Sequence, residues 1–334
     1  MYVMIQNKKF MDNPISSQIG MKIELIPFSR LCKTTMSERD TEYEIIVDSL
    51  KGDLPSIPVI MNELMTVISD QDAALYALRD LLKMDHSIFA QLLKVANKHE
   101  YRQTHEKRIT RIDDAVQILG LEKVKRIALN TTILTLYKGV NLPIEFNLES
   151  LWLHSVGVAI ASSTLAEDLD TGMQDQAYTC GLLHDLGKVA KCKFDQKLFA
   201  RDLKSTWTKK VDCHQWETTE NRIRHDLLGS YLARAWGISS LVETVTKWHH
   251  EEDRAKRYDI EDAAIQKLVD IVYLANGTIH RLGFGNSGHR FKQEPSKLIL
   301  RRLRMEDEDY RNFENKLTEK FENDAESLAL FQTA

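Results

Sequence analysis

The chain has 334 residues, 43% of them hydrophobic, with 45 basic and 49 acidic side chains giving a net charge of −4. That length exceeds one small domain, since domains run to roughly 100–200 residues, and it predicts two lobes with a substantial core. The well-mixed charge argues against a dedicated nucleic-acid binder, and no stretch reaches the ~18 consecutive apolar residues of a membrane span. Cys32, Cys180, Cys192 and Cys213 form no CxxC pair, which suits reduced thiols in a cytoplasmic protein. Lys8 and Lys9 are not followed by an apolar core and a cleavage site, so the N-terminus does not read as a secretory signal.

Residues 1–49 read as an N-terminal extension. Met21 to Ile26 alternates like a short strand, and Ser37 to Leu50 predicts an amphipathic helix capped by Ser37. Leu54-Pro55-Ser56-Ile57-Pro58 is a rigid break, because each proline fixes its own φ and pushes its predecessor out of the helical region. Helical stripes follow in Val59, Leu64, Met65, Val67 and Ile68, in Leu75, Leu78, Leu81 and Leu82, and in Ile88, Leu92, Leu93 and Val95. Tyr101 to Arg108 reads as a polar loop, and Ile112 to Leu136 as two helices meeting at Gly120. Lys123, Lys125 and Arg126 beside Glu122 read as a solvated face.

Asn141-Leu142-Pro143 breaks the chain again and sets the expected lobe boundary, with residues 50–142 in one helical lobe and 143–334 in the other. The second lobe shows helical patterning over Leu151–Asp168, Asp175–Phe194, Glu217–Trp236, Ser240–Glu251 and Ile260–Leu282. Short charged amphipathic helices are expected from Pro295 to Phe331. Alternating β-branched runs are scarce, so the predicted fold is all-α and two-lobed.

The chemistry concentrates around Gly181-Leu182-Leu183-His184-Asp185-Leu186-Gly187-Lys188. An adjacent His-Asp pair offers an imidazole nitrogen and a carboxylate oxygen, a donor set that iron, manganese and zinc all accept. Taken alone, the pair is as readily a helix-terminal hydrogen bond. His154 lies in an apolar helix, His225 opens another, and His249-His250 ends a third. Singly these read as a core histidine, a cap and a helix end. Together, five histidines and Asp185 on four helical segments match the way a bundle builds a divalent metal centre, of one ion or two. Lys188 reads equally as a phosphoryl-binding charge or as a solvated lysine near a helix end. His86, His99, His105, His214, His280 and His289 have polar neighbours and read as surface residues. No Walker loop, dinucleotide fingerprint, nucleophile elbow or His-Glu-x-x-His motif is present.

Leu54 to Pro58, Asp72, Leu92-Leu93-Lys94-Val95-Ala96-Asn97 and Ile112 to Leu121 fall in an order that resembles the HDOD domain of bacterial signalling proteins. The resemblance runs from about residue 50 to the C-terminus. It implies an all-helical fold related to the HD superfamily of metal-dependent phosphohydrolases, including the HD-GYP phosphodiesterases that open cyclic di-GMP. Many HDOD members lack the metal ligands and act as regulatory or scaffold modules. Motif for motif, the resemblance puts His154, His184, Asp185, His225, His249 and His250 at metal-ligand positions and Lys188 at the lysine after the HD pair. Two departures stand out. Asn276 occupies the place of the last Asp ligand, where it is a weak, neutral donor, and Asp270 lies about 240° round the helix from it. The GYP segment is replaced by Glu252-Asp253-Arg254-Ala255-Lys256, and Ser150 stands where some trinuclear members have Glu.

Two functions follow from the resemblance. One is a metal-binding signalling module that contacts a protein partner or a nucleotide ligand. The other is a phosphohydrolase of a nucleotide or cyclic nucleotide, in which the ions would activate water and Lys188 would steady the phosphate. The incomplete ligand set favours the first.

Overall fold

Asn147, Asp195, Asp212, Asp262 and Ser296 cap the starts of helices in the computed structural model, which describes the chain over residues 36–53, 86–98, 101, 108–137, 142 and 146–323. Among these residues every regular element is a helix and no strand occurs, as an all-α fold requires. The alternating segment 21–26, the Leu54–Pro58 break and the stripes from Val59 to Leu82 lie outside the described residues. So do most of the 101–108 loop, the residues flanking Leu142 at the expected lobe boundary, and the chain beyond 323.

The described helices are α1 (Met36–Asp53), α2 (His86–Ala96), α3 (Ile112–Leu119), α4 (Leu121–Tyr137), α5 (Leu148–Asp168), α6 (Gln174–Leu183), α7 (Leu186–Phe194), α8 (Gln196–Lys209), α9 (Cys213–Thr219), α10 (His225–Ala235), α11 (Ser240–Trp248), α12 (Ala263–Leu282), α13 (Lys297–Leu303) and α14 (Asp307–Asn323). Helices α2, α3 and α4 pack on one another, and α4 leans on α5. Gly120 separates α3 from α4 at φ 78, a conformation that suits glycine. Helix α1 crosses the expected 49/50 boundary. It docks on α7 and α10 through buried Tyr43, Ile46, Val47 and Leu50, and the Tyr43 ring stacks on Tyr231 at 5.3 Å.

Helix α5 is the axis of the second half. Asn147 caps it by accepting from the Ser150 N–H at 2.7 Å, and residues from Leu151 through Ala166 are buried on nearly every side. A helix apolar all round must be enclosed, and α6, α12 and α4 enclose it. Its Trp152 is fully buried, a contact set worth about 3 kcal/mol or more on truncation. Helix α6 comes unusually near because Gly181 has no side chain. A Cβ there would lie 2.8 Å from Val158 O and 2.9 Å from Ala159 Cα.

Two expected helices are broken in the structure. The Asp175–Phe194 pattern divides into α6 and α7 at His184-Asp185, where Asp185 leaves helical geometry at φ −99, ψ 14. The Glu217–Trp236 pattern divides into α9 and α10 around Asn221, which adopts φ 54. Asn tolerates that left-handed region better than most residues. Helix α8, capped by Asp195 at Leu198 N, was not among the expected elements. Lys125 and Arg126 are not a solvated face. Lys125 is 4% exposed, and Arg126 reaches across to Ser163 and Asp175, both at 3.2 Å, and lies over the Tyr178 ring. Cys180, Cys192 and Cys213 are free thiols in the core. No helix among the described residues is long and apolar enough to cross a membrane.

Candidate metal centre

Helix ends, not helix middles, aim most of the candidate residues. The turn between α6 and α7 presents His184 and Asp185, the first residue of α10 is His225, and the turn after α11 presents His249 and His250. His154 enters from the buried face of α5. The turn can approach α10 because Gly187 touches it directly: a Cβ on Gly187 would overlap the His225 carbonyl oxygen.

These elements bring all six candidate ligands together around Asp185. Its Oδ2 lies 3.3 Å from His184 Nε2 and 4.0 Å from His154 Nε2. Its Oδ1 lies 3.4 Å from His225 Nε2 and 3.7 Å from His249 Nε2. His250 Nε2 sits 2.9 Å from His225 Nε2. Ligand atoms of His154, His184 and Asp185 lie within 4.8 Å of one another, and so do those of Asp185, His225, His249 and His250. The Asp185 carboxylate therefore stands between two donor groups, one on each oxygen.

The chemistry of these donors fits a cation. His184 Nε2, His249 Nε2 and Asp185 Oδ1 are buried with no hydrogen-bond partner in the protein, a state that ordinarily costs ~1–3 kcal/mol per atom. His184 and His249 donate their Nδ1 protons to the carbonyls of Gly181 and Thr246 at 2.7 Å, which leaves each Nε2 lone pair facing inward. Burial, then the field of His184, holds the His154 imidazole well below its usual pKa. Burial does the same to His249, reinforced by His184 and His225, and to His250, reinforced by His249. Neutral imidazole is the form that ligates metal. Burial alone would raise the Asp185 carboxyl, but His184 and Lys188 outweigh it and hold it well below the usual range.

Lys188 is not the solvated lysine of the simpler reading. It is 2% exposed and donates to Asp185 Oδ2 at 2.8 Å, and that carboxylate raises its pKa against the opposing effect of burial. Asn276, on α12, places Oδ1 2.9 Å from His154 Nε2. Asp270 lies away from the cluster. Fully buried, it accepts from Arg257, Arg302 and Arg254 at 2.6–2.9 Å, and Arg257 also donates to Glu251 O. The segment standing where a GYP motif would be is thus pinned to α12 and α13.

Three histidines expected at the surface instead border the site. His214 stacks on His250 at 4.7 Å, with Nε2 3.5 Å from Asp226. His280, one helical turn past Asn276, stands edge-on to His154 at 6.2 Å and stacks on His289 at 3.8 Å. Burial, and after it the charge of Lys188, pushes His280 down to about 4. Their polar neighbours in sequence misled the reading, although the four-residue spacing from Asn276 to His280 places both on one helix face. The His86 side chain, His99 and His105 lie outside the description. Glu217 was also missed. It is 3% exposed, with Oε2 2.6 Å from His225 Nδ1 and Oε1 2.5 Å from Lys191 Nζ. Burial would raise its pKa, but His225 and Lys191 bring it down to about 2.

A sequence profile of the HDOD domain matches residues 54–252, more than half of the chain, and the chain belongs to the HDOD domain family. An uncharacterized protein of Treponema pallidum (strain Nichols) is 22% identical over 248 residues, which are 74% of this chain and 45% of that protein. The chain thus spans less than half the length of this curated relative. The fold superposes on an HDOD domain protein of unknown function from Geobacter sulfurreducens with a TM-score of 0.64 and 24% identity, covering 86% of this chain and 96% of that one. A protein of Marinobacter aquaeolei VT8 named for signal transduction gives a TM-score of 0.70 at 16% identity, over 92% and 69% of the two chains. At these identities the likeness is one of fold.

Proposed function

We propose that this chain is a metal-binding HDOD module working in signal transduction through a protein partner or a nucleotide ligand, with one or two divalent ions at its core. His154, His184 and Asp185 would hold one ion, and Asp185, His225, His249 and His250 the other. Iron, manganese and zinc all suit this nitrogen-rich set. A bound ion would supply positive charge and Lewis acidity.

The observation that carries the signalling reading is Asn276. Its amide oxygen, not a carboxylate, meets His154 at 2.9 Å, so Asp185 remains the negative group among the proposed ligands, and Lys188 shares its charge. The pinned segment after His250 supports the same reading, as does the signalling name of the Marinobacter neighbour. Lys188 favours the second reading, a phosphohydrolase of a nucleotide or cyclic nucleotide, because a buried ammonium beside Asp185 Oδ2 could hold a phosphoryl oxygen.

Elemental analysis of metal-replete protein together with a panel of phosphodiester substrates decides between them. The signalling reading expects bound metal with weak or absent hydrolysis of cyclic di-GMP. Rapid turnover that Asp185→Ala abolishes would put the enzyme in its place.

A further inference from the structure

Glu217 stands behind the proposed ligands on α9, and it touches His225 twice. Its Oε2 accepts from the His225 backbone N–H at 2.9 Å and from the ring Nδ1–H at 2.6 Å. Its Oε1 accepts from Lys191 Nζ at 2.5 Å. Lys191 belongs to α7, the helix that leaves the His184-Asp185 turn. All three residues are buried.

We infer that Glu217 is the positioning residue that sets His225 for the ion shared with His249 and His250. This rests on the metal-centre reading above. A carboxylate on Nδ1 fixes the proton there and leaves the Nε2 lone pair pointing at the cluster, 3.4 Å from Asp185 Oδ1. The contact to the backbone N–H locks the carboxylate to the first residue of α10, so ring and carboxylate cannot turn independently. His184 and His249 have their Nδ1 protons taken by neutral carbonyls. His225 faces a full negative charge, which makes its Nε2 a stronger donor to a cation. The effect is confined to one side of Asp185. His154 and His184 have no contact with Glu217, so the ion between them should not depend on it.

Titration of Zn2+ into the metal-free full chain against a chromophoric chelator tests this. The wild-type chain should take two ions. Glu217→Gln should weaken one of them by about 10–100-fold and leave the other unchanged. Lys191→Met, which leaves the carboxylate on His225, should keep both. Unchanged affinity at both sites in Glu217→Gln overturns the inference. So does an equal loss of both ions in the two variants, which is what a plain ion pair tying α7 to α9 would give. Imidazole 15N shifts of the wild-type metal-free chain supply a measurement that needs no variant to fold: His225 should carry its proton on Nδ1, and a proton on Nε2 overturns the assignment. A wild-type chain that takes no ion fails the metal-centre reading and this inference with it, and a single ion that Glu217→Gln leaves unchanged fails this inference alone. Two ions in the wild type and an unaffected Glu217→Gln fail this inference alone.

Discussion

If His154, His184 and Asp185 hold an ion as proposed, replacing Asn276 by Asp should tighten its binding. The Asn276 oxygen already lies 2.9 Å from His154 Nε2, so a carboxylate in the same place meets the same ion with a full negative charge. At an effective dielectric constant of ~20, opposite unit charges ~4 Å apart attract by about 4 kcal/mol. Much of that is offset, because the new carboxylate loses hydration and, without metal, gains His154 as an ion-pair partner. A net gain of about 10–100-fold in affinity remains, or ~1.4–2.8 kcal/mol. Competition against a calibrated chelator with Mn2+ at fixed pH measures it directly. Under saturating metal the thermal midpoint should rise as well, since a ligand bound only by the folded chain stabilises it. Equal or weaker Mn2+ binding in Asn276→Asp would refute the placement of residue 276 in the ion's shell, and with it the charge argument for weak hydrolysis.

Other outcomes follow from the packing and the charges. Gly187→Ala must push α7 away from the His225 carbonyl and should cost ~1–3 kcal/mol in urea melts, with weaker metal binding because Asp185 moves. Gly277→Ala, where an added Cβ meets nothing within 4 Å, should instead stabilise by ~0.5–1 kcal/mol. Glu217 has a folded pKa of about 2 against an ordinary 4.5. Its contribution is therefore complete above pH 4.5 and lost as pH falls toward 2, an effect of about 3 kcal/mol that should be missing from the acid limb of a Glu217→Gln melt series. Asp270→Asn leaves Arg254, Arg257 and Arg302 without their shared anion and should cost ~3–5 kcal/mol. Backbone hydrogen exchange should also quicken across residues 251–257; a rigid segment in that variant would contradict the clamp.

The His184-Asp185 pair and the helical character of the second half were legible in the sequence because each is a local property. An apolar stripe with a 3.6-residue period names a helix, and adjacent His and Asp name a donor pair. The turns that aim the ligands were not legible, since Asp175 to Phe194 keeps its helical spacing straight through the break at Asp185. The break is imposed from outside the window, by the contact of Gly187 with α10. The same limit hid Glu217, His214, His280 and His289. Each has polar neighbours in sequence and becomes buried, as Glu217 does, or half-buried, as the three histidines do, only when segments remote in the chain pack against it. Arg126 was misread for a related reason, its partners Asp175 and Tyr178 being supplied by α6.

Sealed thiols give the cluster a clean spectroscopic background. Cys192 and Cys213 are pushed up to about 12 and Cys180 is raised further, burial being the leading cause in each case. Thiols held protonated in this way are poor metal ligands and poor nucleophiles. Cobalt placed at the centre should therefore show ligand-field bands of nitrogen and oxygen donors, without sulfur-to-metal charge transfer in the near ultraviolet. In a Cys32→Ser chain, a maleimide dye should react only when the helical core opens, so the rate of labelling becomes a clock for how often it does.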